Sequence, residues 1–178
     1  VIDYNILVLY AAHEYAQRTN DREWFDSHKA DFRAIFDFYQ SKMDNGRSRQ
    51  GEHADWQDSS KRNGKTFLTN LIYYHMGQVY GYLDKAQAEK IKGDIMKAFY
   101  DQSTGLFKSI EGRDNISLDG ILWAIENNLL VDSDELYSRL KVHPLFTQYK
   151  MPGCATYPSY RSDDMYIQVK VVGLTEYH

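Results

Sequence analysis

Helical segments that are apolar on every side alternate along this chain with segments that are apolar on one face only. The first segment, from about Tyr4 to Gln17, runs Ile6, Leu7, Val8, Leu9, Tyr10, Ala11 and Ala12 without a polar stripe. A helix apolar all round is expected to be buried all round. Thr19-Asn20-Asp21 breaks it. In the second, about Arg22 to Met43, Phe32, Ile35, Phe36 and Tyr39 follow one helical stripe, while Lys29, Arg33, Asp37 and Gln40 lie off it. Asp44-Asn45-Gly46 closes that helix, with Asn45 or Gly46 suited to the left-handed position beyond its end. The third segment, about Thr66 to Leu83, is again apolar nearly all round. Asp84 and Gln87 read as a capping box for a fourth, about Lys85 to Tyr100, with Ala88, Ile91, Ile95, Ala98 and Phe99 on one face. Leu106 to Arg113 forms a polar connection with room for a short strand. The fifth, about Ser117 to Asn128, carries Ile121, Leu122, Trp123, Ala124 and Ile125. Asp132 and Glu135 read as a second capping box for a sixth helix that ends before His143-Pro144. A simple bundle would put one stripe on every helix. Strict alternation instead predicts an all-α fold with inner helices packed on both sides and outer helices facing water. That is three helical hairpins of an α/α toroid. The plainer alternative is an irregular all-α domain with a few central helices. Residues 1–178 read as one domain or part of one, with 145–178 a less regular tail whose Tyr166 to Val171 alternates like a strand.

The bulk numbers exclude several classes. With 178 residues, 43% hydrophobic and 26% charged, the chain matches an ordinary globular domain. A net charge of −4 argues against a nucleic-acid binder, which needs a basic face to neutralise phosphates. No run is long enough to cross a membrane. The single cysteine, Cys154, rules out an internal disulfide and a cysteine metal cluster, and reads best as a small buried hydrophobe. The chain opens Val1-Ile2-Asp3 without Met, basic region or leader. That favours the cytoplasm, a reading that a lost N-terminal segment would void. Aromatic residues make up 15%, most of them Tyr, which suits sugar stacking and large aromatic cores alike.

The chemistry concentrates in one loop. Glu52-His53-Ala54-Asp55-Trp56-Gln57-Asp58-Ser59-Ser60, followed by Lys61-Arg62-Asn63-Gly64-Lys65, sets carboxylates, an indole and bases just ahead of the third helix. Either Asp58 or Asp55 is placed to serve as an acid, with Trp56 desolvating it and raising its pKa, or offering a platform for a sugar ring. The plainer reading is a solvated loop with helix caps. Arg62 and Lys65 suit donation to hydroxyls or to a carboxylate, or solvation.

Three segments together resemble a family. Asp3-Tyr4-Asn5, Tyr10-Ala11-Ala12-His13-Glu14-Tyr15 and Thr19-Asn20-Asp21 are similar to one hairpin of the six-hairpin (α/α)6-toroid glycosidases. Ala54-Asp55-Trp56-Gln57-Asp58-Ser59 with Asn70-Leu71-Ile72-Tyr73-Tyr74 resembles a second. Phe99-Tyr100-Asp101, Thr104-Gly105-Leu106-Phe107 and Ser117-Leu118-Asp119-Gly120 resemble a third. The nearest likeness is to bacterial glycogen-debranching amylo-α-1,6-glucosidases and α-L-rhamnosidases. Each motif is short and degenerate; their order and spacing carry more than any one of them. The resemblance implies a partial catalytic domain that cleaves a glucosidic or related bond, with inversion. Asp58 would be the general acid by its spacing from Trp56, with Asp55 the alternative, and the base would come from hairpins beyond this chain. Inverting enzymes hold two carboxyl groups about 6.5–9.5 Å apart. Asp3, ahead of the first inner helix, would bind sugar hydroxyls or cap that helix. Asp119 and Trp123 would line the same rim or serve as cap and core. An oligosaccharide or glycoside is the expected substrate, and no cofactor is expected. A half ring also predicts bare inner flanks, hence a second possibility: a non-catalytic fragment that binds carbohydrate or pairs as a homodimer.

His13, His53, His75 and His143 lack metal-ligand spacing, and His75, on an apolar helix, reads as a core histidine. Gly77 and Gly81, spaced G-x-x-x-G, suggest close packing between inner helices.

Overall fold

The computed structural model describes residues 2–44, 47–48, 63–143 and 156–157. Among these residues the fold is mainly α-helical: α1 Ile2–Thr19, α2 Arg22–Ser27, α3 Lys29–Ser41, α4 Phe67–Val79, α5 Lys85–Phe99, α6 Leu118–Glu126 and α7 Ser133–Lys141. Six two-residue strands pair antiparallel as β1 Met43–Asp44 with β2 Arg47–Ser48, β3 Tyr100–Asp101 with β4 Leu106–Phe107, and β5 Ile116–Ser117 with β6 Thr156–Tyr157.

The organising helix is α4. Its residues Phe67 to Tyr74, Met76 and Gly77 are all buried, as its uniform apolarity predicts. It packs against α1, α3, α5 and α6. Its two faces feed two cores. One joins Leu68, Ile72, Tyr73 and Met76 to Ile6 and Leu9 of α1 and Phe32, Phe36 and Tyr39 of α3. The other joins Phe67 and Leu71 to Ile95, Phe99, Phe107, Ile121, Leu136 and Leu140. Stacked rings hold both, Phe36 on Tyr73 at 4.6 Å and Phe67 on Phe107 at 4.3 Å.

Cross-helix neighbours define the directions. Tyr10 lies beside His75, and His13 beside Tyr80, so α1 runs parallel to α4. Phe67 meets Gly120, and His75 meets Trp123, so α6 runs the same way. Phe32 packs on Tyr80 and Phe36 on Tyr73, Phe67 on Phe99, and Ser133 Oγ donates to the Ile125 carbonyl at 2.8 Å. Hence α3, α5 and α7 return antiparallel. Three hairpins result, with α1, α4 and α6 side by side and starting from one end.

The helices depart from expectation in four places. The second helix is interrupted at His28, so α2 and α3 are separate. Ser27 Oγ and His28 Nδ1 both engage the Trp24 carbonyl, at 2.7 and 2.8 Å, replacing its helical partner with local side chains. The first and fifth segments are not enclosed: Val8 and Tyr15 of α1 and Leu122 of α6 are exposed. The helix α3 ends at Ser41 with Lys42 as its C-cap, earlier than expected, and β1 follows; Asn45 and Gly46 lie outside the described residues. Gly77 and Gly81 do not bring two inner helices together; Gly77 packs on Leu83 and on Phe36 of α3, and a Cβ on Gly81 would meet nothing among the described residues. A Cβ on Gly77 would lie 2.5 Å from Leu83 and 3.0 Å from Phe36. Gly81, at φ +66°, ends α4 in a Schellman motif: Tyr82 N–H donates to the Gly77 carbonyl at 2.8 Å and Gly81 N–H to that of Gln78 at 3.1 Å.

The capping box on α5 forms on both sides, Gln87 N–H to Asp84 Oδ1 at 2.8 Å and Asp84 N–H to Gln87 Oε1 at 2.9 Å. Asp132 caps α7 through Glu135 N–H at 2.9 Å. No helix among the described residues is long and apolar enough to cross a membrane.

Candidate functional site

The common end of α4 and α6 is tied by backbone. Thr66 bridges Ile110, Lys108 bridges Ile116, and Phe67 N–H donates to the Ser109 carbonyl at 2.9 Å. Gly120 makes the close approach possible: a Cβ there would lie 2.4 Å from the Phe67 ring. Asn70 completes the tie from within, its Nδ2 donating to the Thr66 carbonyl at 2.7 Å while fully buried. Asn70 of the Asn-Leu-Ile-Tyr-Tyr motif thus braces the start of α4, while Ile72 and Tyr73 pack in the core shared with α3.

Of the residues singled out from sequence, Asp55, Trp56, Asp58 and Arg62 lie outside the described residues, as do His53 and Cys154. Asp3 falls within α1 rather than ahead of it. Asp119 sits in the first turn of α6. Its Oδ1 accepts from Ser117 Oγ at 2.7 Å and from Gly120 N–H at 2.8 Å, beside the N-cap Ser117. Lys65 precedes α4, so it and Asp119 stand at the starts of adjacent parallel helices.

Lys65 belongs to a charged quartet. Its Nζ lies 3.1 Å from Asp44 Oδ2 and 4.0 Å from Glu111 Oε2. Arg47 grips Glu111 with Nη2 to Oε1 at 2.7 Å and Nε to Oε2 at 3.4 Å. The cations are the buried members: Lys65 and Arg47 side chains are 11% and 13% exposed, against 58% and 38% for Asp44 and Glu111. An open cavity of about 430 Å³ lies over this quartet, lined by Asp44, Asn63, Lys65, Glu111 and Arg113 among others.

Sequence reasoning passed over Asp44, Arg47 and Glu111. A signal for the first two existed: Asn45-Gly46, between the paired Asp44 and Arg47, is the commonest composition of a two-residue hairpin loop. Glu111 stands 64 residues from Arg47, and nothing local announces that pair.

Further along the same helices, Tyr10 of α1, His75 of α4 and Trp123 of α6 converge. Tyr10 and Trp123 rings are 4.8 Å apart, and His75 lies 6.3 Å from Trp123 and 6.5 Å from Tyr10. Trp123 is therefore placed a turn beyond Asp119, against aromatic neighbours. Burial, and then the nearby His13, push the His75 pKa down to about 4, so the ring is neutral at physiological pH. His75 Nδ1 and Trp123 Nε1 are buried without a hydrogen-bond partner among the described residues. Burial raises the Tyr10 phenol, helped by Glu14 and Glu126. Among the described residues, no group of three or more His, Cys, Asp or Glu side chains is gathered as for a metal ion.

No protein-family model matches the chain, and no curated protein matches it at a significant level.

Proposed function

We propose that this chain is part of a glycoside hydrolase built as a six-hairpin α/α toroid, of which it contributes three hairpins, and that it acts on a glucosidic or related oligosaccharide with inversion. The observation that carries this reading is the side-by-side, parallel arrangement of α1, α4 and α6, each followed by an antiparallel partner and all starting from one end. An arc of this kind gathers the loops before its inner helices on one rim. The loop with Asp55, Trp56 and Asp58 immediately precedes α4 in sequence, and Asp119 opens α6. In this reading Asp58, or else Asp55, protonates the leaving oxygen, and Trp56 keeps it dry enough to hold its proton near neutrality. Lys65, Arg62, Asp3 and Asp119 bind hydroxyls. The base that activates water comes from outside this chain.

The exposed apolar side chains Val8, Tyr15 and Leu122 favour a second reading: a non-catalytic half ring that binds carbohydrate or closes its core by self-association. A glycoside panel, assayed with the protein in its full natural length and with Asp58→Asn and Asp55→Asn beside it, separates the two. Loss of turnover by two orders of magnitude or more in one variant supports the enzyme. Unchanged turnover in both removes the site assignment.

A further inference from the structure

We propose that the cavity over Asp44, Lys65 and Glu111 of the charged quartet binds vicinal hydroxyls of a neutral sugar. The ligand class rests on the glycosidase reading; the site itself rests on its own geometry. Both carboxylates already have cations behind them, Arg47 and Lys65 for Glu111 and Lys65 for Asp44. The cations are the less exposed partners and the carboxylates the more exposed ones, so the quartet turns acceptors toward the cavity, where Arg113 also stands. A carboxylate offers about four acceptor positions, and these ion pairs leave capacity on both acids. A small anion entering here meets two carboxylates. A divalent cation meets Lys65 and Arg113. A neutral polyol meets neither penalty, because each hydroxyl donates to a carboxylate oxygen in a charge-assisted bond without needing to displace an ion pair. A cavity of about 430 Å³ falls within the range of roughly 300–1,000 Å³ usual for small-ligand sites. Strand β2 and the 110–113 segment bring the two halves of the quartet together, so the site exists only in the folded chain.

Titration of the isotope-labelled chain with methyl α-D-glucopyranoside, sodium sulfate and calcium chloride, followed by amide NMR, tests the proposal. Amides of residues 63–65 and 110–113 should shift with the glycoside and saturate. Glu111→Gln and Asp44→Asn should each raise the dissociation constant at least tenfold while amides of α4 and α6 keep their positions. Asp44 makes one ion pair, so Asp44→Asn keeps the test open if Glu111→Gln disturbs folding. A response to sulfate or calcium without one to the glycoside overturns the proposal, as does wild-type affinity in Asp44→Asn. Turnover is read separately. Glycoside cleavage lost in Asp58→Asn with these amides unmoved refutes the subsite and keeps the enzyme; saturable shifts here without any turnover do the reverse.

Discussion

Gly120 is a position where one methyl group decides whether two helices meet. Its missing side chain lets the Phe67 ring sit where a Cβ would lie 2.4 Å away, and the backbone around Phe67 is held by the Ser109 carbonyl. Gly120→Ala is expected to destabilise the fold by about 1–3 kcal/mol in urea unfolding, the usual cost of overpacking. Gly93, inside α5 with nothing near its Cβ, is the control: Gly93→Ala should stabilise by up to about 1 kcal/mol. His75 gives a pH dependence. Its folded pKa of about 4 lies below the unfolded value of about 6.5, so the unfolded chain binds the extra proton between those values. Stability from this group is complete above about pH 6.5 and is lost as pH falls toward 4. Discounted for partial exposure, the loss is about 1–2 kcal/mol. Chemical denaturation of His75→Phe at pH 7 and pH 4.5 should show a smaller drop than the parent; an equal drop removes His75 as its source.

Single helices hold their ends by local chemistry and their places by a few long-range bonds. The two-sided box on α5 makes Asp84→Ala cost about 1 kcal/mol. The Tyr80 hydroxyl donates to the Leu9 carbonyl at 2.6 Å, joining the end of α4 to the middle of α1, and burial raises its pKa. Tyr80→Phe should cost about 0.5–1.5 kcal/mol and speed hydrogen exchange in α1 more than in α5. The N-caps Asp84 and Asp132 were legible because they depend on residues three apart. The break at His28 was not, because it turns on Ser27 and His28 choosing the Trp24 carbonyl over solvent, a competition that periodicity does not register.

For the whole molecule, the exposed apolar side chains of α1 and α6 are the feature to test. If the chain pairs or continues through these flanks, Val8→Glu and Leu122→Glu should reduce its molar mass by light scattering to that of a monomer. A chain already monomeric, with both variants unchanged, leaves no role for these flanks in self-association. Sequence by itself determined that the chain is mainly helical and where α4, α5, α6 and α7 begin, since apolarity and capping are local properties carried by each segment. It also pointed to Lys65 and Asp119 as residues at helix starts. Only the tertiary structure decided that α1, α4 and α6 run parallel from one end, that α1 and α6 keep an open side, and that Lys65 joins Asp44, Arg47 and Glu111. Those facts depend on which distant segments meet, and an ion pair spanning 64 residues forms without further loop entropy only because the rest of the fold has already closed that loop.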